Sequence, residues 1–431
     1  MIKIAAKTLG CKTNQYETEA ILSKLSCDDY KIVEFSEKAD IFLINTCCVT
    51  NKAEAKSRYE IRKIIKNHPT SKIIVTGCYV NLGARFLRKH QNRLQLFINN
   101  KKPFISDAIV SDTSIVKEVE KHNYPEIGLD KSIYHSRVPI KVQDGCNFNC
   151  AYCILPTVRG IPRSRNPQKV IEQIKKLVSQ NVNEIIITGI NLGLYGIDLK
   201  NYDLQKLIED ITKKTKLRQI RISSLEPMLF DEELITYFAE NPKIVPHYHI
   251  SLQSGCDKTL KSMKRTYKTA EVAKIFSLIK EKIPTAAIGC DVIVGFPSET
   301  ENDFLATYNF IKDNPVNYLH VFRFSERPGT DASHMKNKVH SKIKKSRMKK
   351  LISLGEKKKA KYASSLVDNS VKLQAIAERK YKGNWQAVSD HYIKTQFEGK
   401  KISQGEYVKL KPVRYLNQYQ ILVAKIINDT D

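Results

Sequence analysis

The chain has 431 residues, 42% of them hydrophobic and 27% charged, and its 72 Lys/Arg against 45 Asp/Glu give a formal net charge of +27. That length exceeds what one core organises, so two or three domains are expected, in a composition ordinary for a soluble globular protein. No apolar run approaches the ~20 residues that span a bilayer, and Met1–Lys7 reads as a short strand rather than a signal peptide. The expected location is therefore the cytoplasm.

The positive charge suits a polyanionic partner, because cationic side chains release counterions from phosphates; a lysine-rich proteome explains it equally well. The excess is locally concentrated, with eleven Lys/Arg against two Asp/Glu in residues 331–360. A solvated helix face is the plain alternative for that stretch.

From the N-terminus, short apolar runs at Ile2–Thr8, Asp40–Asn45 and Ile73–Thr76 alternate with helical periodicity at Glu17–Leu25 and Ala53–Lys66. Strand and helix in alternation predict a parallel sheet over residues 1–112. Each run leads into a cysteine: Cys11, Cys47 and Cys78. Ligand sites collect at the carboxyl ends of parallel strands, so these three can converge although far apart in sequence. Residues 113–131 read as a polar linker.

Residues 132–363 contain six strand-like runs: Val138–Val142, Glu184–Thr188, Gln219–Ser223, Tyr248–Leu252, Ala287–Val294 and Tyr318–Phe324. Helical patterns separate most of them, which predicts a partial or full α/β barrel with its site at the strand C-termini. A lysine-rich helix over about Lys342–Ala363 closes this segment. Residues 364–431 change to short strands joined by polar turns, a small all-β module of OB-barrel size. The expected fold is α/β throughout except for this last module.

Ten cysteines in a chain of the reducing cytosol call for a use other than disulfides. The sharpest pattern is Gly145-Cys146-Asn147-Phe148-Asn149-Cys150-Ala151-Tyr152-Cys153, directly after the first barrel run. Three thiolates in C-x3-C-x2-C can hold three irons of a cubane cluster and leave the fourth open. Structural zinc would need a fourth ligand, for which His135 is the nearby candidate.

This motif resembles the radical S-adenosylmethionine (SAM) superfamily, in which the three cysteines hold a 4Fe–4S cluster whose open iron binds SAM. The resemblance implies metal ligands Cys146, Cys150 and Cys153. It also implies SAM contacts from Tyr152, Gly189, Asn191, Ser223, Glu226, Gln253, Asp291 and Gly295 near later strand ends. Glu226 is the candidate for the ribose hydroxyls, or else a helix cap before Pro227. Gly295 would let the backbone approach the cofactor closely.

The segments Thr8-Leu9-Gly10-Cys11-Lys12-Thr13-Asn14-Gln15-Tyr16-Glu17, Asn45-Thr46-Cys47-Cys48 and Thr76-Gly77-Cys78 resemble the N-terminal domain of methylthiotransferases. There, one cysteine from each segment ligates a second 4Fe–4S cluster; Cys48 is the rival to Cys47, and the family pattern favours Cys47. The terminal module resembles a TRAM domain, which binds RNA. Arg379, Lys380, Lys382, Lys409, Lys411 and Arg414, interleaved with Tyr381, Trp385, Tyr407 and Tyr415, suit phosphate contact and base stacking. The opening Thr-Leu-Gly-Cys-Lys-Thr-Asn-Gln-Tyr-Glu resembles the branch that methylthiolates C2 of N6-threonylcarbamoyladenosine at position 37 of tRNA. The resemblance implies two 4Fe–4S clusters, SAM, a tRNA anticodon stem-loop partner and a low-potential electron donor, in a monomer. Sister branches act on isopentenyladenosine in tRNA or on an aspartate of a ribosomal protein. A non-enzymatic alternative is an RNA-binding protein with structural iron–sulfur sites.

Overall fold

The computed structural model describes residues 1–83, 85–111 and 119–428; positions 113–118 of the expected linker lie outside them. Strands β1 (Ile2–Thr8), β2 (Tyr30–Val33), β3 (Ile41–Thr46), β4 (Lys72–Gly77) and β5 (Gln95–Phe97) form a parallel sheet in the order β2-β1-β3-β4-β5. Every residue of β3 is buried, as befits a parallel strand covered on both faces. Its alternation divides the work. Ile4, Leu43 and Ile74 point to the face shared with the helix Lys12–Ser23 and continue into the barrel core. Ala5, Phe42, Ile44, Ile73 and Val75 pack on the other face against Ile61 and Ile64 of the helix Asn51–Asn67. Thr50 caps that second helix by accepting from the Ala53 amide.

The central segment contains β6 (Arg137–Lys141), a short antiparallel pair β7 (Gln143–Asp144) and β8 (Arg163–Ser164), then β9 (Glu184–Thr188), β10 (Gln219–Ile222), β11 (His247–Gln253), β12 (Ala287–Val294) and β13 (Tyr318–Arg323). β6, β9 and β10 pair in parallel, as do β11, β12 and β13. Single parallel bridges, Ile220 to Ile244 and Leu225 to Ile250, join the two halves. Six strands therefore follow one another in chain order around an open barrel whose edges are β6 and β13. Helix starts are set locally: Asn166, Asp203, Asp231 and Thr300 each accept from a first-turn amide.

The helix Ser341–Asp368 runs along β13, with Leu351 and Leu354 in the barrel core. It then carries Tyr362, Ala363 and Leu366 into the core of the terminal module. The expected boundary at residue 364 thus falls within one continuous helix. The basic stretch is partly structural: Arg347 is buried on Glu299 and Glu301, and Lys358 donates to the carbonyls of Lys312 and Asn314.

Strands β14 (Leu373–Ile376), β15 (Arg379–Tyr381), β16 (Asn384–Val388), β17 (Lys394–Phe397), β18 (Tyr407–Leu416) and β19 (Ile421–Ile426) are ordered β14-β18-β19-β17-β16-β15. A bridge from Ala375 to Ser389 curls this sheet back on itself. The module seats beneath the barrel, at the strand N-termini. Arg221 donates to the carbonyls of Ser389 and Asp390 at 3.0 and 3.1 Å, and Arg137 to Glu378 at 2.5 Å. Among the described residues, no helix is long and apolar enough to cross a membrane.

Candidate active site

Both cysteine triplets stand at strand C-termini. Cys11 follows β1 and is exposed; Cys47 and Cys78 follow β3 and β4 and are buried. Two glycines let these turns close. Gly10 has φ +98°, and a Cβ there would sit 2.9 Å from the Cys47 sulfur. Gly77 has φ +99°, and a Cβ there would lie 2.3 Å from the Thr46 carbonyl oxygen. Cys47 is held by Ser57, whose hydroxyl donates to its carbonyl at 2.9 Å. Cys48 instead points into the apolar cluster of Ala5, Phe42 and Ile44, with no exposure at all. The turn therefore directs Cys47, not Cys48, toward Gly10 and Cys11.

Beneath this triplet lies a buried ionic network absent from the sequence expectations. Arg159, at the end of the helix Leu155–Arg159 that follows Cys153, donates its Nε–H to the Cys78 sulfur at 3.3 Å. Its other nitrogens reach Glu17 at 2.5 Å, Asp144 at 3.4 Å and the Asn14 side-chain oxygen. Lys141 joins Glu17 and Asp144 at 2.8 and 2.6 Å; Lys102 also pairs with Glu17, and Arg163 lies 3.8 Å from Asp144. Burial alone would raise the Glu17 pKa, but Arg159, Lys102 and Lys141 hold it well below the usual carboxylate range. Four cations face two carboxylates, an excess that suits an anionic thiolate-ligated group at Cys78.

The second triplet sits on the loop after β7. Gly145, at φ +77°, packs so tightly that a Cβ would strike the Ile161 carbonyl oxygen at 1.8 Å. The Phe148 and Leu155 amides each donate at 3.4 Å to the sulfurs of Cys146 and Cys153. Arg265 donates to the Cys150 sulfur at 3.1 Å, pairs with Glu226 and meets the Tyr267 hydroxyl at 3.2 Å. Burial pushes the thiols of Cys47 and Cys153 up to about 12, so each is held protonated unless a metal replaces the proton. All of the cysteines are free thiols. Two sets of three thiols, each approached by donors and an arginine, fit iron–sulfur ligation.

The remaining expected residues divide. Gly189 closes on Gln143, whose Oε1 accepts from the Ile190 and Asn191 amides at 3.0 and 2.9 Å. Asn191 stands 3.7 Å from the Cys146 sulfur and caps the turn Leu192–Leu194. Ser223 is tied to β9 through its amide, and Gln253 ends β11 at φ +62°. Tyr152 packs against the cluster of Ala151, Met263 and Phe296. Glu226 does not cap the turn Pro227–Leu229; its carboxylate is engaged by Arg265. A Cβ at Gly295, where φ is +73°, would lie 2.4 Å from the Lys344 side chain. Asp291 lies mid-strand beside His249 and His320, at 3.0 and 3.4 Å. His135 lies 3.8 Å from Glu19, so nothing places it as a fourth ligand to the loop. In the terminal module Trp385 is a core residue donating to the Gly399 carbonyl, whereas Tyr381 is exposed.

Some of the unexpected residues had a signal. Lys141 interrupts the apolar run of the first barrel strand and Asp144 follows it in β7, where a buried charge needs a partner. Arg159, Lys102 and Arg265 had none, since their partners are distant in sequence.

An open six-stranded barrel with three cysteines on its first loop defines a radical SAM enzyme, and the radical SAM superfamily pattern matches residues 140–311. A second pattern, uncharacterized protein family UPF0004, matches residues 3–99. The threonylcarbamoyladenosine tRNA methylthiotransferase of Bacillus subtilis is 35% identical over 430 residues, 95% of this chain and 94% of the relative. That of Aquifex aeolicus is 34% identical, covering 93% and 98%. The chain belongs to this methylthiotransferase family. A tRNA-2-methylthio-N(6)-dimethylallyladenosine synthase of Natranaerobius thermophilus is 31% identical, covering 96% and 94%. The radical SAM methyltransferase TsrM of Kitasatospora setae shares the fold at TM-score 0.56 and 12% identity, over 77% of each chain. Membership implies a 4Fe–4S cluster and SAM.

Proposed function

We propose that this chain installs a methylthio group at C2 of N6-threonylcarbamoyladenosine 37 in tRNA, using SAM and two 4Fe–4S clusters. The reading rests on one juxtaposition: Arg159, six residues beyond Cys153, donates to the sulfur of Cys78, so the segment that carries one cysteine triplet is docked on the other. When bound, SAM and the clusters would supply the radical chemistry that removes the unreactive C2 hydrogen, together with the sulfur and the methyl group of the methylthio substituent.

The protein's part is placement. Cys146, Cys150 and Cys153 hold the SAM cluster, and Cys11, Cys47 and Cys78 hold the second. Tyr152, Gly189, Asn191, Ser223, Glu226 and Gln253 border the cofactor, with Arg265 fixing Glu226 and shielding Cys150. The N-terminal sheet, fused to the barrel through the helix Lys12–Ser23, keeps water from the radical. Exposed Arg379, Lys380 and Tyr381 on β15 suit an RNA backbone and a stacked base. Position 37 lies in a single-stranded loop, so its base enters the pocket without breaking a duplex. The enzyme works as a cytoplasmic monomer fed by a low-potential electron donor.

Nucleoside mass spectrometry of tRNA from a strain lacking the gene tests the reading. Loss of 2-methylthio-threonylcarbamoyladenosine, restored by wild type but not by Cys11→Ala or Cys150→Ala, is expected. Loss of the isopentenyl counterpart instead would move the chain to the sister branch. Unchanged tRNA would overturn the assignment.

A further inference from the structure

Away from both cysteine triplets, the lower half of the barrel gathers a second set of ligating side chains. On β12, Cys290, Val292 and Val294 are fully buried in the barrel's hydrophobic core, so Asp291 between them takes the opposite, inner face. Strand register sets Asp291 beside His320 on β13 and brings His249 of β11 opposite Gly289, two residues earlier. Asp291 Oδ1 lies 3.0 Å from His249 Nε2 and 3.4 Å from His320 Nδ1. One ligand atom from each of the three lies within 4.8 Å of the others. Donors bound at about 2.0–2.1 Å around a tetrahedral ion stand roughly 3.3 Å apart, so this spacing suits a shared cation.

The details of His249 point the same way. Its Nε2 is buried and finds no partner in hydrogen-bonding geometry, although a carboxylate oxygen is 3.0 Å away. Its Nδ1 is engaged by the Tyr318 hydroxyl at 2.7 Å, and that hydroxyl also meets His247 Nε2 at 2.7 Å. A ligating imidazole is usually oriented in this way, by a partner on its other nitrogen. Nearby cations are already compensated: Arg221 pairs with Glu184 at 2.7 Å and Arg137 with Glu378 at 2.5 Å. His320 also lines a cavity of about 370 Å³ between barrel and terminal module, together with Arg137, Tyr318, Tyr392 and Gln420.

We propose that His249, Asp291 and His320 form a binding site for a divalent transition ion, zinc by its two-imidazole, one-carboxylate donor set, whose remaining coordination position faces that cavity. Three protein ligands and one open position are the pattern of a zinc ion that exchanges water or an oxygen ligand. The site is separate from the iron–sulfur ligands and does not depend on which nucleoside is methylthiolated.

The test uses the full chain with its iron–sulfur sites loaded anaerobically, so that free cysteines do not scavenge metal. Zinc is added, weak chelator and gel filtration follow, and zinc and iron per chain are measured by mass spectrometry. About one retained zinc is expected in wild type, lost in His320→Ala and Asp291→Asn at unchanged iron. Tyr318→Phe, which spares all three ligands, is expected to weaken zinc binding by about 10–100-fold. Zinc X-ray absorption of the wild type guards against variants that misfold: nitrogen and oxygen neighbours support the site, and sulfur neighbours overturn it. Failure of wild type to retain zinc, or equal retention by wild type and variants, also overturns it and leaves an ionic His–Asp–His cluster.

Discussion

Replacing Arg159 with methionine removes a side chain that bridges the N-terminal domain and the barrel beneath Cys78. Arg159 has no exposed side-chain surface, and its guanidinium is shared by Glu17, Asp144, Asn14 and Cys78. Breaking a buried pair commonly costs 3–5 kcal/mol, because it strands the partner charge. Here the partners are not wholly stranded, since Lys102 and Lys141 remain on Glu17, and Lys141 and Arg163 on Asp144. The expected loss is therefore at the lower end, about 3 kcal/mol. Methionine also removes the donor to Cys78 and one positive charge from the ground beneath the N-terminal triplet. Anaerobically reconstituted protein is assayed by thermal melting, iron content and electron paramagnetic resonance. A lower melting temperature is expected, together with selective loss or a shifted signal of the cluster proposed at Cys11, Cys47 and Cys78. Arg159→Lys keeps charge without the planar fork and is expected to recover only part of both effects. Wild-type melting, iron and spectrum in Arg159→Met would refute the claim that this network supports the second cluster.

The two adjacent cysteines are expected to give opposite phenotypes: Cys47→Ala loses the iron of the proposed second cluster. Cys48→Ala is expected to keep it and to lose about 1–2 kcal/mol from the apolar cluster in which Cys48 is enclosed, read as a melting shift. Glu226→Gln removes the carboxylate that neutralises Arg265 beside Cys150, and is expected to slow reductive SAM cleavage roughly tenfold at unchanged iron, measured as 5′-deoxyadenosine formed. Because Glu17 is held well below its unfolded value, its stabilising contribution is present above about pH 4 and lost as pH falls through the depressed folded value. Melting followed down the pH scale should therefore stay level until about pH 4 and then drop, and Glu17→Gln should flatten that acid limb while lowering stability at neutral pH.

Most of the architecture could be read from the chain because its strands are short, apolar and punctuated. β1, β9 and β12 fall where the runs Ile2–Thr8, Glu184–Thr188 and Ala287–Val294 place them. Strands poor in apolar residues, such as β15 (Arg-Lys-Tyr) and β17 (Lys-Thr-Gln-Phe), gave no such signal, because pairing with neighbours and not their own composition makes them strands. The cysteine sets were visible for a chemical reason, since thiols at strand ends have few other uses. Their supporting charges were not, because Glu17, Lys102, Lys141 and Arg159 come from four separate segments and meet only when the N-terminal sheet docks on the barrel. Asp291 was assigned by strand position alone, which gives no warning of the two imidazoles facing it.

The helix Ser341–Asp368 has a mechanical meaning beyond its packing. At 1.5 Å per residue its 28 residues span about 42 Å, rooted at one end on β13 and at the other in the terminal module. With no hinge along that length, it works as a ruler. Under the proposed function, a nucleic acid gripped by the module would be presented to the barrel at one distance and one angle. On that reading substrate choice becomes partly a question of metrology: an adenosine would be selected for how far it stands from the grip as well as for what it carries.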